Sequence, residues 1–86
     1  MLLDAKDFQR VSLHSKIKHL QQHGIYITKR NYLRYEIWLY HYNGYFVEVW
    51  RTLSFGDIYS IDIAPERSVK ESYLDAINLD ELGLEV

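Results

Sequence analysis

His19 and His23 stand four residues apart in "KHLQQHG". On a helix this spacing turns both imidazoles to one side, within reach of a single metal ion. A catalytic zinc site needs a third protein ligand, and the intervening Leu20, Gln21 and Gln22 supply no glutamate of the kind that acts as base between two zinc-binding histidines. Histidines beside an apolar stripe are more often solvated boundary residues. The pair is therefore a weak metal candidate, and no cofactor is expected.

Glu48 and Asp62 form a second constellation. Two carboxylates can divide acid and base duties when their surroundings push their pKa values apart. That requires them to be neighbours on adjacent strands, where like charges otherwise destabilise the pairing. No nucleophile accompanies them, so they name no reaction, no catalytic residues are assigned and the chain reads as non-enzymatic. The third constellation is "ITKRNYLRYE", where Lys29, Arg30 and Arg34 interleave with Tyr32 and Tyr35. Cations bind phosphate and flat rings stack on unpaired bases, so segment 29–35 is a candidate for single-stranded nucleic acid. A net charge of −2 and the lack of any RNP-like or helix-turn-helix pattern make this the alternative reading.

The elements that must position these residues are short. Eighty-six residues, 48% hydrophobic and 26% charged, fit a single α+β domain over 1–86. A chain of this length buries only about 60–65% of its unfolded surface, which favours large side chains in the core. The absence of cysteine removes disulfides and thiolate sites. "MLLDAKDFQR" carries charge where a secretory signal would be apolar, and the longest uncharged run, Ile37 to Val47, is shorter than a membrane span of about 20 residues. No membrane association and a cytoplasmic location are expected. Charge is uneven: residues 1–34 hold seven Lys/Arg against two Asp, whereas 35–86 hold three against ten acidic groups. Adjacent basic and acidic elements, or a subunit contact, account for this most simply.

Leu13, Ile17 and Leu20 recur at helical spacing over 13–24, with Ser12 placed to cap and Gly24 in a C′ position. Phe8 and Val11 fall off that stripe, which predicts a break or a separate short helix over 4–11. Ile25 to Thr28 reads as a short edge strand or an extended link. "NYLRYEIWLYHYNGYFVEVWR", residues 31–51, is the strongest signal: Asn43-Gly44 is the preferred type I′ turn, flanked by aromatic and β-branched residues. A two-residue loop sets Glu36 opposite Arg51, Trp38 opposite Val49 and Tyr40 opposite Val47. "SFGD" turns into a third strand, "IYSIDIA", ended by Pro65. A three-residue loop there sets Tyr59, Ile61 and Ile63 beside Val47 and Val49, the preferred parity because it gathers aliphatics on one face. The Glu48–Asp62 repulsion it creates argues for the alternative, which sets them beside Glu48 and Trp50. Ser68 and Glu71 form a capping box for a C-terminal helix with Val69, Tyr73, Ala76 and Ile77 as its stripe and Leu79, Leu82 and Gly83 closing it.

The expected fold is thus α+β: an N-terminal helix, a three-stranded antiparallel meander with a fourth short edge strand as an option, and a C-terminal helix, with the helices on one sheet face. Both faces of the hairpin are apolar, unlike a sheet with one wet side. The second face, with Tyr35, Ile37, Leu39, Phe46 and Trp50, is the expected protein interface, joining a homodimer or a partner protein. The competing reading is that Leu2, Leu3 and Phe8 wrap over that face within one chain.

Overall fold

A computed structural model describes residues 1 to 73. The fold is α+β: helices α1 (Ala5–Arg10) and α2 (Leu13–His23), strands β1 (Ile25–Tyr32), β2 (Tyr35–Tyr42), β3 (Tyr45–Thr52) and β4 (Ile58–Ala64), then helix α3 (Glu66–Ser72). The strands form one antiparallel sheet in the order β1-β2-β3-β4. The expected stripe and closure of the C-terminal helix beyond Tyr73, from Ala76 to Gly83, lie outside the described residues.

Each of the first two helices starts at its own side-chain cap. Asp4 accepts from the Asp7 amide at 2.8 Å and Ser12 from the Ser15 amide at 3.2 Å, satisfying amides that have no partner within a first turn. Gly24 ends α2, but with φ −78 it does not use glycine's left-handed freedom. Its value is space, because a Cβ there would sit 2.6 Å from the Leu20 carbonyl oxygen.

The central hairpin follows the expected register: Glu36 pairs Arg51, Trp38 pairs Val49 and Tyr40 pairs Val47. Asn43 (φ 47) and Gly44 (φ 87) turn the chain in the conformation those two residues tolerate. β4 takes the preferred parity at Ile61 and Ile63, with Val49 opposite Ile61 and Val47 opposite Ile63. The loop, however, runs over 53–57 rather than three residues, and a bulge beside Ser60 turns Tyr59 to the other face, against Tyr35 at 5.2 Å. The repulsion that argued against this register is relieved from outside the strand pair, since Glu48 is engaged by Arg30 and Tyr73.

The first strand differs from expectation. β1 is a full eight-residue strand, and β2 starts at Tyr35 rather than Asn31, because the chain reverses at Leu33-Arg34. Leu33 takes φ 54, which side-chain-bearing residues adopt reluctantly, and the Leu53 amide braces the turn through the Arg34 carbonyl at 3.0 Å.

The helices also differ from expectation: they do not share one face. α1 and α2 bring Phe8 and Leu20 onto Tyr42, Val47, Val49 and Ile61, while α3 lays Val69 and Tyr73 on Leu39, Phe46 and Ala64 of the opposite face. The cause is the connection. Ala64 is buried on that second face and Pro65 alone separates β4 from α3, so no loop exists to carry the helix around the sheet edge. Ser68 does not head a capping box. It lies within the helix, whose N-cap is Pro65 with no side-chain capping bond.

Candidate functional site

Strand alternation sorts the sequence-derived candidates onto two faces. Of the expected interface, Ile37 and Leu39 are fully buried and Phe46 is 5% exposed, so the centre of the second face is not open to a partner. This corrects the expected interface, and the reason is that α3 covers Leu39 and Phe46. The competing reading is corrected too: Leu3 and Phe8 pack on the first face. Phe8 lies edge-on or tilted against Tyr45 and Tyr42 at 6.0 and 5.4 Å. Leu3 is clasped by the hairpin tip, donating its amide to the Tyr42 hydroxyl and accepting at its carbonyl from Asn43 Nδ2 and Tyr45 Oη, each at 2.9 Å.

What stays open on the second face is its turn end. Tyr35 and Trp50 are half-buried, with ring centroids 5.4 Å apart, and Tyr32 and Tyr59 extend the cluster at 6.2 Å from Trp50 and 5.2 Å from Tyr35. Three exposed apolar side chains project from the two adjoining turns: Leu33, Leu53 and Phe55, the last 85% exposed. Leu53 and Phe55 were missed from sequence because "LSFGD" reads only as a turn; an aromatic at the tip of a Gly-containing loop was the available signal.

The basic and aromatic segment does not converge. Lys29 lies on the first face, paired with Glu36 at 3.3 Å and 5.8 Å above the Trp38 ring. Arg30 lies on the second, bonding Glu48 at 3.3 Å and stacking against Tyr73 and Tyr32. Burial opposes the Arg30 charge, but Tyr73 and Glu48 outweigh it and raise its pKa. Burial, reinforced by the Glu48 carboxylate, likewise raises the pKa of the Tyr73 hydroxyl, which donates to Glu48 at 2.8 Å. Arg34 is exposed in the turn. Two of the three cations proposed for phosphate are thus engaged by carboxylates and point to opposite sides.

His19 and His23 are held apart in role. The Tyr42 hydroxyl accepts from the Leu3 amide and also shares a hydrogen bond of 2.8 Å with His19 Nδ1, which occupies one possible ligand atom. His23 is exposed. No group of three or more metal-ligating side chains occurs among the described residues.

The first face carries one further feature, a groove between α2 and the strands with a cavity of about 130 Å³. Ile17, Leu20, Val49, Ile58 and Ile61 make it apolar, and Gln21, Trp38, Tyr40 and Arg51 stand around it. Trp38 is flanked by Tyr26 at 5.4 Å and carries the Arg51 guanidinium over its ring at 5.3 Å. Its indole N–H donates to Glu36, and this bond, with burial opposing and Lys29 and Arg51 assisting, lowers the Glu36 pKa.

No helix among the described residues is long and apolar enough to cross a membrane. No protein-family model, curated protein or solved structure matches the chain.

Proposed function

We propose that this chain is a non-enzymatic protein-interaction module that self-associates through the turn end of its second sheet face. The observation that carries the reading is the open cluster of Tyr32, Tyr35, Trp50 and Tyr59 continuous with Leu33, Leu53 and Phe55 at the adjoining turns. Contiguous exposed apolar surface of this kind commonly marks an interaction site, and aromatic side chains contribute most per residue when buried between proteins. A second copy is the chosen partner because closed two-fold dimers are the commonest soluble assemblies, and a cluster of flat rings is complementary to itself. Of the interface expected from sequence, Tyr35 and Trp50 remain in this surface.

The test is solution mass by light scattering at about 100 µM, a concentration that populates even weak dimers. The wild type is expected at twice the chain mass, and Phe55→Glu and Tyr59→Glu at the mass of one chain with unchanged melting temperature. Both positions are exposed, so the added charge burdens the contact and not the core. A wild type that stays at single-chain mass overturns the proposal.

A further inference from the structure

The groove on the first face has the composition of a small-molecule site, an apolar lining with a few polar groups at the rim, and its cavity of about 130 Å³ has room for a single ring. Its rim chemistry is one-sided. The Arg51 Nε and Nη2 atoms donate to the Gly56 carbonyl at 3.1 and 2.8 Å, and the guanidinium rests on Trp38, so the cation is fixed before anything binds. No carboxylate among the described residues lies within ion-pair distance of it. Glu36, its cross-strand neighbour, is instead engaged by Lys29 and the Trp38 indole.

Two more donors face the same space. Tyr40 and Gln21 line the groove, and neither side chain has a hydrogen-bond partner among the described residues. Burial raises the Tyr40 pKa, with Tyr26 adding and Arg51 opposing, so the hydroxyl stays a donor at neutral pH while sensing the arginine's field. Guanidinium, phenol and amide can each donate to an oxyanion, and the guanidinium fork matches a carboxylate in two-point geometry.

The geometry points to a binding site for a small apolar carboxylate, its hydrocarbon or aromatic part over Val49 and Ile61 and its carboxylate on Arg51. Preorganisation supports this: an arginine already oriented by a carbonyl and an aromatic face loses little freedom on binding. The site is distinct from the turn-end cluster, since it lies across the sheet from Tyr35 and Trp50.

The probe is 4-phenylbutyrate, titrated to about 10 mM against isotope-labelled wild type, a ceiling suited to a ligand of few heavy atoms. Resonance shifts are expected at the Trp38 indole N–H, Gln21 and Arg51 Nε, with little change at the Trp50 indole. Binding should be about 10- to 100-fold weaker for 4-phenylbutyramide and for Arg51→Gln, the loss of one charge-assisted interaction. Ile58→Trp, which fills the groove and keeps Arg51, should abolish the shifts while the melting curve stays cooperative. N-acetylphenylalanine set against 4-phenylbutyrate separates the sources. Tighter binding of the acylated amino acid indicates a peptide C-terminus and tighter binding of 4-phenylbutyrate a metabolite; either supports the site. The methyl ester of N-acetylphenylalanine, which lacks the carboxylate, should not bind. Absence of shifts, equal binding of acid and amide, or undiminished binding by Arg51→Gln or Ile58→Trp overturns it.

Discussion

The two faces of the sheet are covered by different means. On the first, α1 and α2 set Phe8 and Leu20 into an apolar layer, and side chains of the hairpin tip clasp Leu3 over it. On the second, the seven-residue α3 packs on Leu39, Phe46 and Ala64, beside a charged group in which Glu48 accepts from both Arg30 and Tyr73. The lesson is that a sheet apolar on both sides need not be an unfinished interface. A short helix closes part of the second face and leaves the rest, at the turns, as the surface available to others.

Truncating each cover tests this contrast most severely. Phe8→Ala should cost about 3–5 kcal/mol, the usual range for a fully buried ring, and Val69→Ala about 2 kcal/mol by its smaller lost volume. Urea unfolding measures both, and a Val69→Ala loss equal to that of Phe8→Ala would make the two covers equivalent. Next comes the charged group. Glu48→Ala removes the acceptor shared by Arg30 and Tyr73; with side-chain exposures of 14% for Glu48 and 27% for Arg30, about 2 kcal/mol is expected after allowance for solvent screening. A double-mutant cycle with Tyr73→Phe should show coupling, and strict additivity would deny the network.

Alkaline titration compares the faces through their tyrosines. Burial pushes the Tyr45 hydroxyl up to about 12, with Tyr42 and Asp4 adding, and burial with Glu48 raises Tyr73 further in the same direction. A raised phenol pKa means the folded state favours the neutral form. This stability is fully present below the unfolded value of about 10 and is lost as pH rises through the folded values. Unfolding midpoints should therefore fall above pH ~10, with a shallower decline in Tyr45→Phe and in Tyr73→Phe. A decline unchanged in both variants would place the alkaline sensitivity elsewhere. The smallest effect belongs to the turn beside the open cluster. Leu33→Asn should stabilise by up to about 1 kcal/mol, because asparagine tolerates the positive φ that leucine resists. Destabilisation would mean that the exposed Leu33 side chain contributes packing that outweighs its strained backbone.

What the sequence disclosed follows the same division. Asn43-Gly44 announces its turn because those residues suit positive φ, and Glu36 facing Arg51 confirms the register. Leu33-Arg34 announces nothing, since its conformation is imposed by strand pairing and the Leu53–Arg34 bond. Missing that turn hid the length of β1, and with it the alternation that sends Lys29 and Arg30 to opposite faces. The side taken by α3 was illegible for another reason: it depends on Pro65 being the whole connection, which periodicity within the helix does not encode. Ile37, Leu39 and Phe46 look open in sequence because nothing within the helical patterns shows that α3 turns to the second face. In the sequence Arg51 shows only as the register partner of Glu36; its place at the groove appears once the Gly56 carbonyl and Trp38 ring fix it.

The Leu3 clasp has a consequence for the order in which the molecule comes together. Its three partners, Tyr42, Asn43 and Tyr45, lie some forty residues further along and are gathered by one tight turn, so Leu3 gains them only where that turn exists. The clasp is thus a contact between distant stretches of chain, whose closure costs entropy and slows folding relative to local pairings.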